Sequence, residues 1–167
     1  MLVGMTLGLI VMAGVISCFV FLSRNLTRLQ IQQKFESQAR RTLLVFAQDA
    51  RMAINVTAPT ASSVTFILPA PASSPVSYAY DSATGTFTRT TPTDANQTLI
   101  NLTDFAFTYY DVYGNPYPAL TNYLIGIKQV SISFTAQSPA SWNLTQPAFK
   151  YPVISSRIIL RNKTTPP

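Results

Sequence analysis

Residues 1–22, MLVGMTLGLIVMAGVISCFVFL, are uncharged and mainly apolar on every side, and the run is long enough to cross a bilayer as a helix. The pattern then changes period without a break. From Ser23 to about Ile54 there is no Pro or Gly, and Phe35, Ala39, Leu43, Phe46, Ala50 and Ala53 recur at spacings of three and four. Such spacing lines one face of a helix. Gln32, Gln33, Glu36, Gln38, Arg41 and Gln48 occupy the other side. One continuous helix from residue 1 to about 54 is predicted, roughly 80 Å long at a rise of about 1.5 Å per residue. It should stop before the loop Ala58-Pro59-Thr60-Ala61-Ser62-Ser63.

Beyond that loop the period falls to two. Val64–Leu68 reads as a strand. Val76–Tyr80 and Thr84–Thr90 flank Asp81-Ser82-Ala83 and read as a hairpin. Leu102–Tyr110 alternates Phe105, Phe107 and Tyr109, and Asp111–Pro118 is turn-forming. In Leu124–Ala136 the apolar phase switches between Ile127 and Val130, which predicts a bulge near Lys128-Gln129. Ser138–Lys150 reads as a loop and Val153–Arg161 as the last strand. The expected fold class is α+β: a long N-terminal helix packed by its amphipathic half on one antiparallel sheet of five or six strands. The expected organisation is 1–22 as a membrane-spanning helix, 23–57 as its amphipathic extension and 58–167 as the sheet domain.

Composition narrows the function. The chain has 167 residues, and only 11% are charged. The net charge of +6 is spread from Arg24 to Lys163 without a dense basic block, so no nucleic-acid partner is expected. There is no His and a single cysteine, Cys18, within the apolar run. This removes a Ser-His-Asp triad, a Cys-His pair and most zinc sites. The acids Glu36, Asp49, Asp81, Asp94, Asp104 and Asp111 are dispersed. No enzyme activity, catalytic residue, cofactor or metal is expected. Asp49 and Arg51 either link helix to sheet or belong to a solvated helix end.

Val15-Ile16-Ser17-Cys18 loosely imitates a lipoprotein processing box, but Phe-Val-Phe-Leu continues the helix behind it. Arg24, Arg28 and Lys34 come after the span, an arrangement that by the positive-inside rule would leave the domain in the cytoplasm. A basic segment upstream of Met1 would remove the conflict. Gly4 and Gly8 form a small-xxx-small pair suited to close helix packing, although chance in an apolar helix explains it equally well. Six Asn-x-Thr triplets begin at Asn25, Asn55, Asn96, Asn101, Asn143 and Asn162. Glycosylation is one reading; a Thr-rich surface that generates such triplets by chance is the favoured one. Tyr78, Tyr80, Phe105, Phe107, Tyr109, Tyr110, Tyr113, Tyr117 and Tyr123 read as packing residues rather than an adhesive face.

The order of apolar helix, amphipathic extension and antiparallel sheet resembles the type IV pilin and pseudopilin superfamily. Met1-Leu2-Val3-Gly4-Met5-Thr6-Leu7-Gly8 is similar to the stretch just after the characteristic Glu of such proteins, which would place leader, processing glycine and Glu upstream of Met1. Glu36–Leu43 with Phe46, Asp49, Arg51 and Ala53 is similar to W-type minor pilins and J-type minor pseudopilins. The resemblance implies a structural subunit of a type IV pilus or type II secretion pseudopilus. It implies other pilins as partners through the N-terminal helix, inner-membrane lipid before assembly, and a domain in the periplasm or outside. A prepilin peptidase is a partner only if an upstream leader exists. Gly4, Leu7, Gly8, Ile10, Val11, Val15, Phe19 and Phe21 are the candidates for membrane and filament packing; Phe35, Ala39, Leu43, Phe46, Ala50 and Ala53 are those for docking the sheet. The alternatives are a membrane-anchored binding domain outside any filament, or a lipoprotein on Cys18.

Overall fold

A computed structural model describes residues 2–69, 75–117, 126–137, 150–155 and 157–163. Its architecture is α+β, with one long N-terminal helix and antiparallel sheets. The chain divides into two compact units, Met1–Ser37 and Gln38–Pro167.

The first unit is purely helical. It is the opening part of α1 (Leu2–Met52), an uninterrupted helix of 51 residues. The Thr6 and Ser17 hydroxyls of the apolar run donate to the helix's own carbonyls, at Val3 (2.9 Å) and Ala13 (2.8 Å), as does Thr27 beyond it, at Ser23 (3.0 Å). Such back-bonding lets a hydroxyl sit on an apolar helix without an outside partner.

The second unit begins with the end of α1 and contains ten strands among the described residues. In the first sheet, β1 (Asn55–Thr57), β2 (Ser63–Ile67), β3 (Val76–Asp81), β4 (Thr86–Thr91) and β5 (Asp94–Leu99) lie side by side in chain order. In the second, β6 (Leu102–Tyr110) pairs with β7 (Pro116–Tyr117) on one side and β8 (Gln129–Gln137) on the other. The far side of β8 is covered by β9 (Lys150–Ile154) and β10 (Ile158–Ile159).

Two sheets replace the single sheet expected, for local reasons. β5, Asp-Ala-Asn-Gln-Thr-Leu, has Thr98 as its one β-branched residue and no aromatic, and is held by its pairing with β4. β1 and β7 are too short to carry a pattern. The helix, expected to about residue 54, ends at Met52: the Ala53 amide closes the last turn on Asp49 O (3.0 Å), and the next amide, Ile54, already bonds Ile67 O on β2 (2.8 Å). The expected final strand is split. At Ser155 the hydroxyl accepts the Ile132 amide (2.8 Å) while the Ser155 amide bonds Ile132 O (2.8 Å), so the ladder is carried past the break between β9 and β10.

The irregularity expected near Lys128-Gln129 is a strand start; β8 begins at Gln129, and the register shift of this sheet lies on β6, between Thr103 and Ala106. Asp104 there has φ 52°, and the extra residue moves the buried phase from Leu102 to Phe107 and Tyr109. Residues 124–125 and most of the expected loop, 138–149, lie outside the described residues.

The core of the second unit collects around Phe46 of α1, which is fully buried. Its ring lies 5.4 Å from Phe66 on β2, 4.9 Å from Tyr78 on β3 and 5.8 Å from Phe107 on β6, so it bridges both sheets. Gly85 turns the β3–β4 hairpin with φ 63° and lies against the Leu102 backbone, its carbonyl accepting the Leu102 amide at 2.8 Å. A Cβ there would meet Leu102 O at 2.9 Å, so only glycine fits. The Asn162 side-chain amide donates to Met52 O at 3.3 Å, joining the last described residues to the end of the helix.

Candidate functional site

In the first unit the candidate packing residues all face outward. Leu7 (59% exposed), Ile10, Val11, Val15, Phe19 (72%) and Phe21 are covered by nothing within the unit. Gly4 and Gly8 have no atom within 4 Å of where a Cβ would stand, so internal packing does not require them. Cys18 is exposed on the same helix. Burying one large apolar side chain is worth about 1.5–3 kcal/mol. A few of these residues left in water would therefore offset the whole net stability of a domain, about 5–15 kcal/mol. The helix is long and apolar enough to cross a membrane.

In the second unit the candidate docking residues Ala39, Phe46, Ala50 and Ala53 are buried, while Leu43, still within this unit, is half-buried. Phe35, half-buried, falls in the first unit. Two polar residues share the buried stripe, Thr42 and Asp49. Thr42 stands at the right spacing between Ala39 and Phe46, and only its polar type hid it from the hydrophobic pattern.

Asp49 anchors a buried latch. Its Oδ2 accepts the Tyr78 hydroxyl at 2.5 Å and the Arg89 Nε–H at 2.8 Å, and Arg89 Nε also reaches the Tyr78 oxygen at 3.2 Å. Tyr78 and Arg89 are directly opposed residues of β3 and β4, so the hairpin register delivers both groups to the helix. Burial, and then the Asp49 carboxylate beside it, push the Tyr78 hydroxyl far above its ordinary pKa. The hydrogen bond to Asp49 likewise holds the Arg89 guanidinium in its charged form. The arrangement fixes a helix to a hairpin; the phenol has no route to act as an acid or base near neutral pH. Arg51 is exposed at the last helical turn, where its charge complements the helix dipole. Arg89 was legible only through the hairpin register.

Of the aromatics, Tyr78, Phe107 and Tyr109 are buried, and Tyr80, Phe105, Tyr110 and Tyr117 half-buried. Tyr113 is 87% exposed at the β6–β7 turn, and Tyr123 lies outside the described residues. The Tyr109 hydroxyl is shared between Thr60 O (2.8 Å) and Ser63 O (3.1 Å), pinning the loop after β1 to the second sheet. A further buried polar residue, Lys163, gave no sequence signal. Its Nζ donates to Ile127 O (2.9 Å), and the Lys128 amine donates to Lys163 O. Burial, with the Lys128 charge nearby, lowers the Lys163 pKa to about 8. Among the described residues no group of three His, Cys, Asp or Glu is placed to hold a metal ion.

The geometry thus defines a protein with a helix able to span a membrane and a two-sheet unit locked onto the end of that helix. No protein-family model, characterised protein or solved structure matches the chain.

Proposed function

We propose that this chain is a structural subunit of a type IV pilus or secretion pseudopilus, of the minor pilin or minor pseudopilin kind. The observation that carries the reading is the unbroken helix Leu2–Met52. One stretch of it is apolar on all sides and uncovered, and its last turns are locked into a sheet core by Phe46 and Asp49. A plain membrane anchor has no need for a helix that continues from lipid into a folded core without a linker. A subunit that moves from bilayer to filament does, because the same apolar surface can exchange lipid for neighbouring helices. The sequence similarity of residues 1–8 and 36–53 to that superfamily supports the same reading. Before assembly the subunit rests in the inner membrane with its sheet unit outside the cytoplasm, and its role is packing rather than catalysis.

Filaments sheared from cells that express the full-length protein test this. The expected result is a detergent-extractable pool in the inner membrane and a smaller amount in the sheared filaments. Recovery in the wash of alkaline-extracted membranes would overturn the proposal. Membrane retention with no protein in abundant filaments would favour a single-pass binding domain instead.

A further inference from the structure

Six of the eight asparagines in the chain are followed two residues later by threonine. Threonine makes up 20 of the 167 residues. Chance placement would put it there after about one asparagine in eight, so the Thr-rich surface does not account for the triplets. The fold adds a second regularity. β2, β3, β4, β6 and β8, the strands flanked on both sides, contain no asparagine. Asn55 lies on β1 and Asn96 on β5, the two end strands of the first sheet, and Asn101 sits in the turn that leaves β5.

Asn101 is exposed at φ 58°, a left-handed turn position, and no hydrogen bond of its side chain occurs among the described residues. Asn55 is exposed, and its side-chain oxygen accepts the Val56 amide at 2.8 Å, while no hydrogen bond of its amide nitrogen occurs among the described residues. Two other acceptors are less open. The Asn162 nitrogen is engaged with Met52 O, and Asn25 stands within the uninterrupted helix α1. Asn25 also lies three residues beyond the apolar run, within the interfacial layer of a membrane.

We propose that Asn55 and Asn101 are N-glycosylation sites, and that their glycans cover the two ends of the first sheet. In the transfer, Asn Nδ2 attacks C1 of a sugar carried on a lipid phosphate or pyrophosphate. The N–C1 bond forms and the C1–O bond breaks, the lipid phosphate leaves with the electron pair, and the amide proton passes to a base of the transferase. An end strand exposes unpaired N–H and C=O groups, and a bulky hydrated substituent beside it blocks pairing with another chain. This inference rests on the outward orientation proposed for the sheet unit.

The test uses the native full-length protein from its own cells, cleaved with trypsin and read by mass spectrometry. Peptides 52–89 and 90–128 should carry hexose- or hexosamine-containing additions, and the 25–28 peptide should appear at its unmodified mass. Thr57→Val should remove the first addition and Thr103→Val the second, while Thr103→Ser retains it. Persistence of the 90–128 addition in Thr103→Val would place it elsewhere and overturn the assignment of Asn101. Protease treatment of intact spheroplasts separates the two proposals. A bare domain that is cleaved from outside overturns the glycosylation and leaves the filament reading standing. A bare, protected domain overturns both. A glycosylated protein never found in filaments keeps this inference and removes the other.

Discussion

At the scale of single residues, the second unit is decided by a few polar groups in apolar company. Asp49 is 4% exposed and satisfies two donors at once, the buried Tyr78 hydroxyl and the half-buried Arg89 guanidinium. Asp49→Ala should destabilise the protein by about 3–5 kcal/mol, because the Arg89 charge and the Tyr78 hydroxyl lose their acceptor together. Urea unfolding in detergent micelles would measure it, and adding Arg89→Met should make the loss no larger. Ala58 has φ 47°, a conformation that costs a non-glycine residue about 1–2 kcal/mol. Ala58→Gly should therefore raise stability by up to about 1 kcal/mol after the added chain entropy of glycine, seen as a higher urea midpoint. Lys163 sets a pH dependence. Its folded pKa of about 8 lies below the ordinary 10.5, so between those values the unfolded chain binds more protons and stability rises with pH. Tyr78 and Tyr109 act oppositely: both are raised above the ordinary 10.0, so their contribution is complete below that value and is lost as pH rises beyond it. The urea midpoint should climb from pH 8 to about 10 and then fall, and Lys163→Met should abolish the climb.

At the scale of elements, legibility followed the strength of the local pattern. The helix was readable because an apolar run joins a three-four stripe with no breaker between. The hairpin of β3 and β4 and the strand β6 were readable from alternation around strong turn residues. β5 was not, because Asp94–Leu99 becomes a strand through its partner rather than its own preference. The bulge on β6 escaped because Asp104 adopts its left-handed conformation in the company of flanking pairs, which no single stretch of sequence encodes. Ala39, Phe46, Ala50 and Ala53 are buried at the spacing read from the sequence, Leu43 is half-buried and Phe35 falls in the first unit, while Asp49's partners required knowledge of which β4 residue faces Tyr78. The exposed helix makes its own prediction. A charge at the centre of a membrane-crossing helix costs about 2.5–3.5 kcal/mol on insertion scales. Val11→Arg together with Val15→Arg should shift the protein from the membrane to the soluble or aggregated fraction, whereas Leu44→Arg, at an exposed position of the second unit, should not.

At the scale of the whole molecule, the two units differ in what covers their apolar residues, which are exposed in the first and form a core in the second. The unit from Gln38 onward holds its own core, including Phe46, Phe66, Tyr78 and Phe107. A chain beginning at Gln38 should therefore be soluble and melt cooperatively within a few degrees of the full-length protein, as circular dichroism would record; loss of the transition would show that the first unit is needed for the fold. The bond from Asn162 to Met52 has a consequence for time rather than stability. It joins positions 110 residues apart, and Lys163 and Ile127 complete the same closure across 36. During synthesis the helix end emerges long before its last partners exist. Contacts of such separation also slow folding toward the millisecond-to-second range, about the regime of β-rich domains. The unit can close only after Lys163 has been made, so α1 stands as a finished, uncovered helix throughout the synthesis of the sheets.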